Sequence, residues 1–216
     1  MRSPESTPFV IKVCGIRQTD EAIAAAEAGA SAIGFNFYPK SPRYVSTEQA
    51  REIARHLAPE ILKVGVFVEP SEDELNRLTQ ERLVDVVQIH GRYRGSQVGL
   101  RIWRAVTVDE RFDPARAFNQ AAEAFLLDAP ADTWGGSGKV FDWTRVRPTS
   151  HKVLVAGGLE ATNVAEAIAA IRPWGVDASS RLELAPGRKD VRKLQEFVMA
   201  ARRAFDSLYQ GAETPA

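Results

Sequence analysis

The chain has 216 residues with 28 basic and 28 acidic side chains, so it lacks the basic excess through which proteins neutralise nucleic-acid phosphates. A single cysteine, Cys14, excludes an intramolecular disulfide and a multi-cysteine zinc site, and fits a reducing compartment. No apolar run reaches the roughly 18 residues of a membrane span, and the opening "MRSPESTPF" has no apolar core of a secretory signal. The expectation is a cytoplasmic protein that takes a small molecule, with neither nucleic acid nor membrane as partner.

Eight short β-rich apolar runs follow one another along the chain. They are "FVIKVC" (9–14), "SAIGFNF" (31–37), "LKVGVFV" (62–68), "VDVVQI" (84–89), "RIWRAV" (101–106), "AFLLD" (124–128), "KVLVA" (152–156) and "WGVDA" (174–178). Helical patterns separate them. The first starts at Thr19 and stops at Gly29; the next two open on Ser46 with Gln49 and on Ser71 with Glu74, both at capping-box spacing. Further helices are read over 161–171 and 190–208, with weaker patterns around 114–122 and 142–147.

Regular β-then-α alternation implies a parallel sheet with helical crossovers. Eight units in this length fit a single (β/α)₈ TIM barrel, with polar tails at about 1–7 and 210–216. An open doubly wound sheet would place a glycine-rich nucleotide loop after an early strand, and "VCGIRQ" is not one. In a barrel the loops after the strands form the active face, which reduces the search for chemistry to eight short exits.

Cys14 ends the first strand. Cysteine is among the most buried residue types, so packing is one reading; a strand exit near helix N-termini, which lower a thiol pKa, is the other. Lys12 shares its strand face. Asp128 closes an apolar strand and needs something to hold it: a cap or salt bridge, or surroundings that raise its pKa into the range of a general acid. "AGGLE" and "SSRLELAPG" follow strands seven and eight, the usual phosphate position of such barrels, where glycine admits backbone N–H groups to an anion.

Arg43 in "YPKSPRYV" could bind a carboxylate with its two-pronged guanidinium. His90 lies across the barrel from Cys14 and reads as a structural histidine. His56 falls in a helix pattern, and His151 precedes strand seven on the wrong face. "WGGSGKVF" fails as a Walker loop because Val140 stands at its Ser/Thr position; it reads as a lid carrying Gly136 and Gly138.

Taken together, "KVCGIR" (12–17), "GFNFYPKSPRYVS" (34–46), "VQIHG" (87–91), "LLDA" (126–129), "GGSGKVFDW" (135–143) and "LVAGGL" (154–159) resemble the phosphoribosylanthranilate isomerase family of tryptophan biosynthesis, in order and over nearly the whole chain. That resemblance implies an Amadori rearrangement of N-(5-phosphoribosyl)anthranilate with Cys14, as thiolate, the general base and Asp128 the general acid. It assigns Arg43 to the substrate carboxylate, and Gly157, Gly158, Asp177, Ser179 and Ser180 to its phosphate. Neither a metal nor a redox cofactor is implied, and a monomer or homodimer is expected. One departure stands out: "DASSRLE" (177–183) has Arg181 where the family has glycine.

Overall fold

The computed structural model describes residues 9–93, 99, 101–130, 138, 140–147 and 149–210. Eight parallel strands close into a barrel in sequence order: β1 (Val10–Cys14), β2 (Ala32–Asn36), β3 (Leu62–Val68), β4 (Val86–His90), β5 (Ile102–Thr107), β6 (Ala124–Asp128), β7 (Val153–Val155) and β8 (Gly175–Ala178). All eight strands expected from the sequence are present, each within two residues of its expected ends. The seam is sealed by β1 and β8, whose register sets Lys12 opposite Asp177.

Strand alternation builds two cores from one sheet. One set of side chains meets inside the barrel, where Val10, Ala32, Val64, Val86, Trp103, Ala124, Leu126 and Leu154 fill its base. Trp103 is fully buried there, edge-on to Trp174 at 5.7 Å between centroids. The other set, including Ile11, Val13, Ile33, Phe35, Val87 and Ile89, packs outward against the helices. A base plugged with apolar side chains leaves the polar ends of the strands on the opposite face.

The helices are α1 (Thr19–Ala28), α2 (Thr47–Ala54), α3 (Glu72–Gln80), α4 (Pro114–Ala117), α5 (Val164–Ile171) and α6 (Val191–Gln210). Ser46 and Ser71 accept from the Gln49 and Glu74 backbone N–H groups, as the capping pattern requires, and Gly29 ends α1 with φ 104°. α1 starts at Thr19 as expected, and Gln18 holds the cap position without a side-chain bond. α5 starts at Val164 rather than at 161, because Asn163 spends its side chain on the preceding loop: Oδ1 accepts from Glu160 N at 2.9 Å and Nδ2 donates to Gly158 O at 2.9 Å.

Two expected helices contract. The pattern at 114–122 is a single turn, after which Phe118 leaves the helix to pack on Phe125 and His151 at 4.9 and 5.0 Å. The pattern at 142–147 is a 3₁₀ turn, Trp143–Arg145; the following "RP" disfavours helical backbone. Beyond β8 the chain adds an unexpected antiparallel hairpin, β9 (Glu183–Ala185) and β10 (Arg188–Lys189). Its Gly187 turn has φ 81° and lies so close to the Pro42 carbonyl that a Cβ would collide. α6 runs on to Gln210, which the sequence reading gave to the tail. No helix among the described residues is long and apolar enough to cross a membrane.

Phe9 stacks on Phe205 of α6 at 4.4 Å, with Phe205 fully buried, and so fastens the last helix to the strand that opens the barrel. Truncating Phe205 to alanine is expected to lower unfolding stability by about 3–5 kcal/mol, read from the denaturant midpoint at unchanged m-value.

Candidate active site

Cys14, Asp128, Arg43, Gly157, Asp177, Ser179 and Ser180 line a single pocket at the strand-exit end of the barrel. Seven of the residues singled out in the sequence thus converge. Gly158 follows directly with φ 63°. Gly138 is at the edge, its carbonyl accepting from Arg181 Nε at 2.9 Å; Gly136 lies outside the described residues.

The first shared feature is space around the thiol. Gly15 has φ 75°, and a Cβ there would fall 2.6 Å from Arg43 Cδ and 3.1 Å from Ser179 Oγ. A Cβ on Gly34 would fall 2.8 Å from Cys14 Sγ. Glycines in "KVCGIR" and "GFNF" therefore let three strand exits close around Cys14, which is 9% exposed. Ser179 Oγ donates to Cys14 O at 3.0 Å, tying the β8 exit to the β1 exit.

The charge arrangement centres on Lys12. Its side chain is wholly buried and its Nζ donates to Asp177 Oδ2 at 2.9 Å. Burial opposes the ammonium charge, but Asp177 and then Cys14 outweigh it, so the Lys12 pKa lies above its ordinary value. The same cation acts on its neighbours. Burial pushes the Cys14 thiol up and Lys12 pulls it down; Asp177 adds to the rise, and the net direction is up. This corrects the expectation that helix ends lower the thiol pKa: withdrawal from water outweighs them, and Cys14 rests as a thiol.

Asp128 is raised to about 6, first by burial and then by the Asp177 carboxylate, against the Ala129 N–H that reaches its Oδ1 at 2.8 Å. A carboxyl in that range holds a proton where ordinary aspartate does not. Gly157 makes room for it: with φ 81°, a Cβ there would lie 2.8 Å from Ala129 N and 3.0 Å from Asp128 Oδ1.

Asp177 changes place relative to the sequence reading. Its carboxylate is paired with Lys12, and its Oδ1 is buried without a hydrogen-bond partner among the described residues. The side chain thus sits in the charge network that acts on Cys14 and Asp128. Arg181 departs from the family glycine without strain, because its φ is not positive; it takes its place in a 3₁₀ turn, Ser180–Leu182.

The rim carries a device that sequence reasoning missed. Arg43, 6% exposed, donates from Nε to Glu183 Oε1 at 2.7 Å and from Nη2 to Glu183 Oε2 at 2.8 Å. Lys189 Nζ reaches the same Oε1 at 3.0 Å and Ser179 O at 3.1 Å. Burial works against the Glu183 charge, yet Arg43 and Lys189 hold its pKa below the ordinary value. Both partners come from the β9–β10 hairpin. Its only trace in the sequence is "PG" between two short charged segments.

A family profile described as N-(5'phosphoribosyl)anthranilate (PRA) isomerase matches residues 11–200. The chain belongs to this family. The N-(5'-phosphoribosyl)anthranilate isomerase of Solibacter usitatus is 46% identical over 203 residues, covering 91% of this chain and 99% of that protein. The crystal structure of the Thermotoga maritima isomerase matches with TM-score 0.81 at 36% identity, covering 90% of this chain and 99% of that one. An isomerase solved in complex with reduced 1-(o-carboxyphenylamino)-1-deoxyribulose 5-phosphate matches with TM-score 0.78 at 33% identity, over 90% and 99% of the two chains. Membership of the family accounts for the whole barrel rather than one segment of it.

The raised Asp128 pKa has a stability consequence. A folded pKa of about 6 against an ordinary 3.8 means the folded state binds the proton more tightly, so stability falls as pH rises from 3.8 to 6 and stays lower above. Asp128→Asn removes that charge. It is expected to raise stability by about 1–3 kcal/mol at pH 8 and by less at pH 4.5, in parallel urea titrations.

Proposed function

We infer that the chain catalyses the Amadori rearrangement of N-(5-phosphoribosyl)anthranilate to 1-(2-carboxyphenylamino)-1-deoxyribulose 5-phosphate, the isomerase step of tryptophan biosynthesis. The observation that carries the mechanism is a carboxyl poised near 6 in the same pocket as a buried thiol.

Asp128 donates its proton to the furanose ring oxygen. The C1′–O bond breaks as the nitrogen lone pair forms the C1′=N bond. Cys14, as thiolate, removes the proton from C2′; those electrons form C1′=C2′ and neutralise the nitrogen. The enolamine then loses its C2′ hydroxyl proton and gains one at C1′, giving the amino-ketone. All atoms and electrons balance by proton transfer alone.

The resting pocket holds this proton inventory in another distribution. Cys14 is a thiol and Asp128 is largely a carboxylate at neutral pH, by the directions of their shifts. The reactive form, Asp128 protonated and Cys14 ionised, has the same number of protons. Lys12 favours it by stabilising negative charge on sulfur. Exchange of one proton within the pair therefore readies the site without uptake from solvent.

Recognition occupies the rim. Arg43 keeps one edge of its guanidinium free of Glu183, and Nη1 with the second Nη2 proton form a fork for the anthranilate carboxylate. Glu183 and Lys189 fix the plane of that fork. The backbone of Gly157, Gly158, Ser179 and Ser180 receives the phosphate, with Arg181 and Gly138 bridging from the loop after β6. The ligand is a free small molecule, and the chain works in the cytoplasm as a monomer or homodimer. A dimeric form is named for the Thermotoga maritima protein.

Loss of phosphoribosylanthranilate fluorescence measures turnover. Cys14→Ala and Asp128→Ala are each expected to lower kcat by about 10²–10⁴-fold while the protein stays folded; near-normal turnover in either contradicts the assignment. Arg43→Ala is expected to raise KM by about 10–100-fold, the loss of a charged hydrogen-bonded contact, with a smaller change in kcat. An unchanged KM would remove Arg43 from the binding site.

A further inference from the structure

Two of the pocket residues that take no part in the reaction above lie on one strand. Gln88 and His90 stand two apart on β4, so both side chains face the barrel interior. Both line the pocket that contains Cys14 and Asp128. Gln88 is 1% exposed, a neutral amide in a pocket that also holds the charged side chains of Arg43, Asp128 and Asp177.

Its orientation is set by a single contact. Gln88 Nε2 lies 2.9 Å from His90 Nε2. An amide nitrogen can only donate, so the imidazole Nε2 accepts and carries no proton. Burial, and then Lys12, push His90 down to about 4, so the ring stays neutral and keeps that acceptor at physiological pH. With the nitrogen turned to His90, the carbonyl end of the amide is the end left to the pocket. Gln88 Oε1 is buried and has no hydrogen-bond partner among the described residues.

A buried amide oxygen without a donor is uncommon, since folded proteins pair nearly all such groups. Here it is not alone: Asp177 Oδ1 is the second unpartnered buried oxygen lining the pocket. Both atoms are acceptors. What would satisfy them is a ligand that carries hydroxyl donors, which the anthranilate ring and the phosphate do not supply and the sugar does.

Accepting that this pocket is the catalytic one, we propose that Gln88 Oε1, held in orientation by His90, accepts a hydrogen bond from the sugar hydroxyl at C3′, next to the reacting carbon, with Asp177 Oδ1 as the neighbouring acceptor. Gln88 is then a binding residue and His90 a positioning residue. The arrangement selects a polyhydroxylated chain over a deoxy one, because a deoxy ligand leaves the amide oxygen buried and unpaired.

Gln88→Met keeps the length of the side chain and removes both polar atoms. The experiment compares wild type and Gln88→Met for KM and kcat, and for binding of reduced product with and without its C3′ hydroxyl. KM for phosphoribosylanthranilate is expected to rise about three- to tenfold, with kcat changing less. Wild type should prefer the hydroxylated ligand by a similar factor, and Gln88→Met should bind the two equally. His90→Phe, which removes the acceptor that orients the amide, should raise KM in wild type and add nothing in the Gln88→Met background.

A thermal melt confirms that each variant is folded. If Gln88→Met fails to fold, the ligand preference of wild type and of His90→Phe decides alone. Equal wild-type affinity for the two ligands overturns the proposal. So does a Gln88→Met variant that retains the preference, or a His90→Phe effect that adds in full. These outcomes are independent of the Cys14 and Asp128 assignments, which stand or fall on turnover.

Discussion

The ion pair between Lys12 and Asp177 is the interaction on which the rest of the site depends. It joins β1 to β8 at the register position that closes the barrel, and its ammonium is wholly withdrawn from water. Breaking such a pair by removing one partner leaves a buried charge uncompensated, at a cost of about 3–5 kcal/mol. The same two charges set the protonation of their surroundings. Lys12 lowers the pKa of Cys14, Asp128 and His90, while Asp177 raises those of Cys14 and Asp128. Closure of the barrel and tuning of the proton-transfer groups are therefore one piece of physics.

Around this centre the strand exits are stitched together by polar contacts rather than by apolar packing. Ser179 ties β8 to the Cys14 carbonyl, Lys189 ties the hairpin to Ser179, and Glu183 ties the hairpin to Arg43. Glu21 of α1 extends the chain of contacts: its Oε1 accepts from Lys189 N at 2.7 Å and its Oε2 from Arg17 N at 3.2 Å. The site is thus braced against the helical shell on one side. A guanidinium fixed in this way loses little further freedom when it meets a carboxylate.

The strands were legible in the sequence because each carries a short apolar run, with β-branched residues in all but "AFLLD", set apart from its neighbours by turn or helix signals. Convergence of Cys14, Asp128, Arg43 and the glycine loops followed from barrel geometry together with the family resemblance. Three things escaped. The helices at 114–122 and 142–147 shortened because Phe118 gains more from stacking on Phe125 and His151 than from another turn, and because Pro148 follows Arg147. The β9–β10 hairpin is too short and charged to give a periodic signal. The direction of the Cys14 shift and the place of Asp177 depend on burial and on a partner 165 residues away along the chain, neither of which local sequence contains.

In the proposed mechanism Cys14 is the base, and it rests as a buried thiol in the same pocket as Asp128. Because the chain has one cysteine, a thiolate absorbance titration reports that group alone. The decisive measurement sets this titration beside the alkaline limb of kcat/KM against pH. One common midpoint is expected, above the ordinary thiol value of 9.0. A thiol that ionises at or below that value, or an alkaline limb that does not follow it, would contradict this role for Cys14.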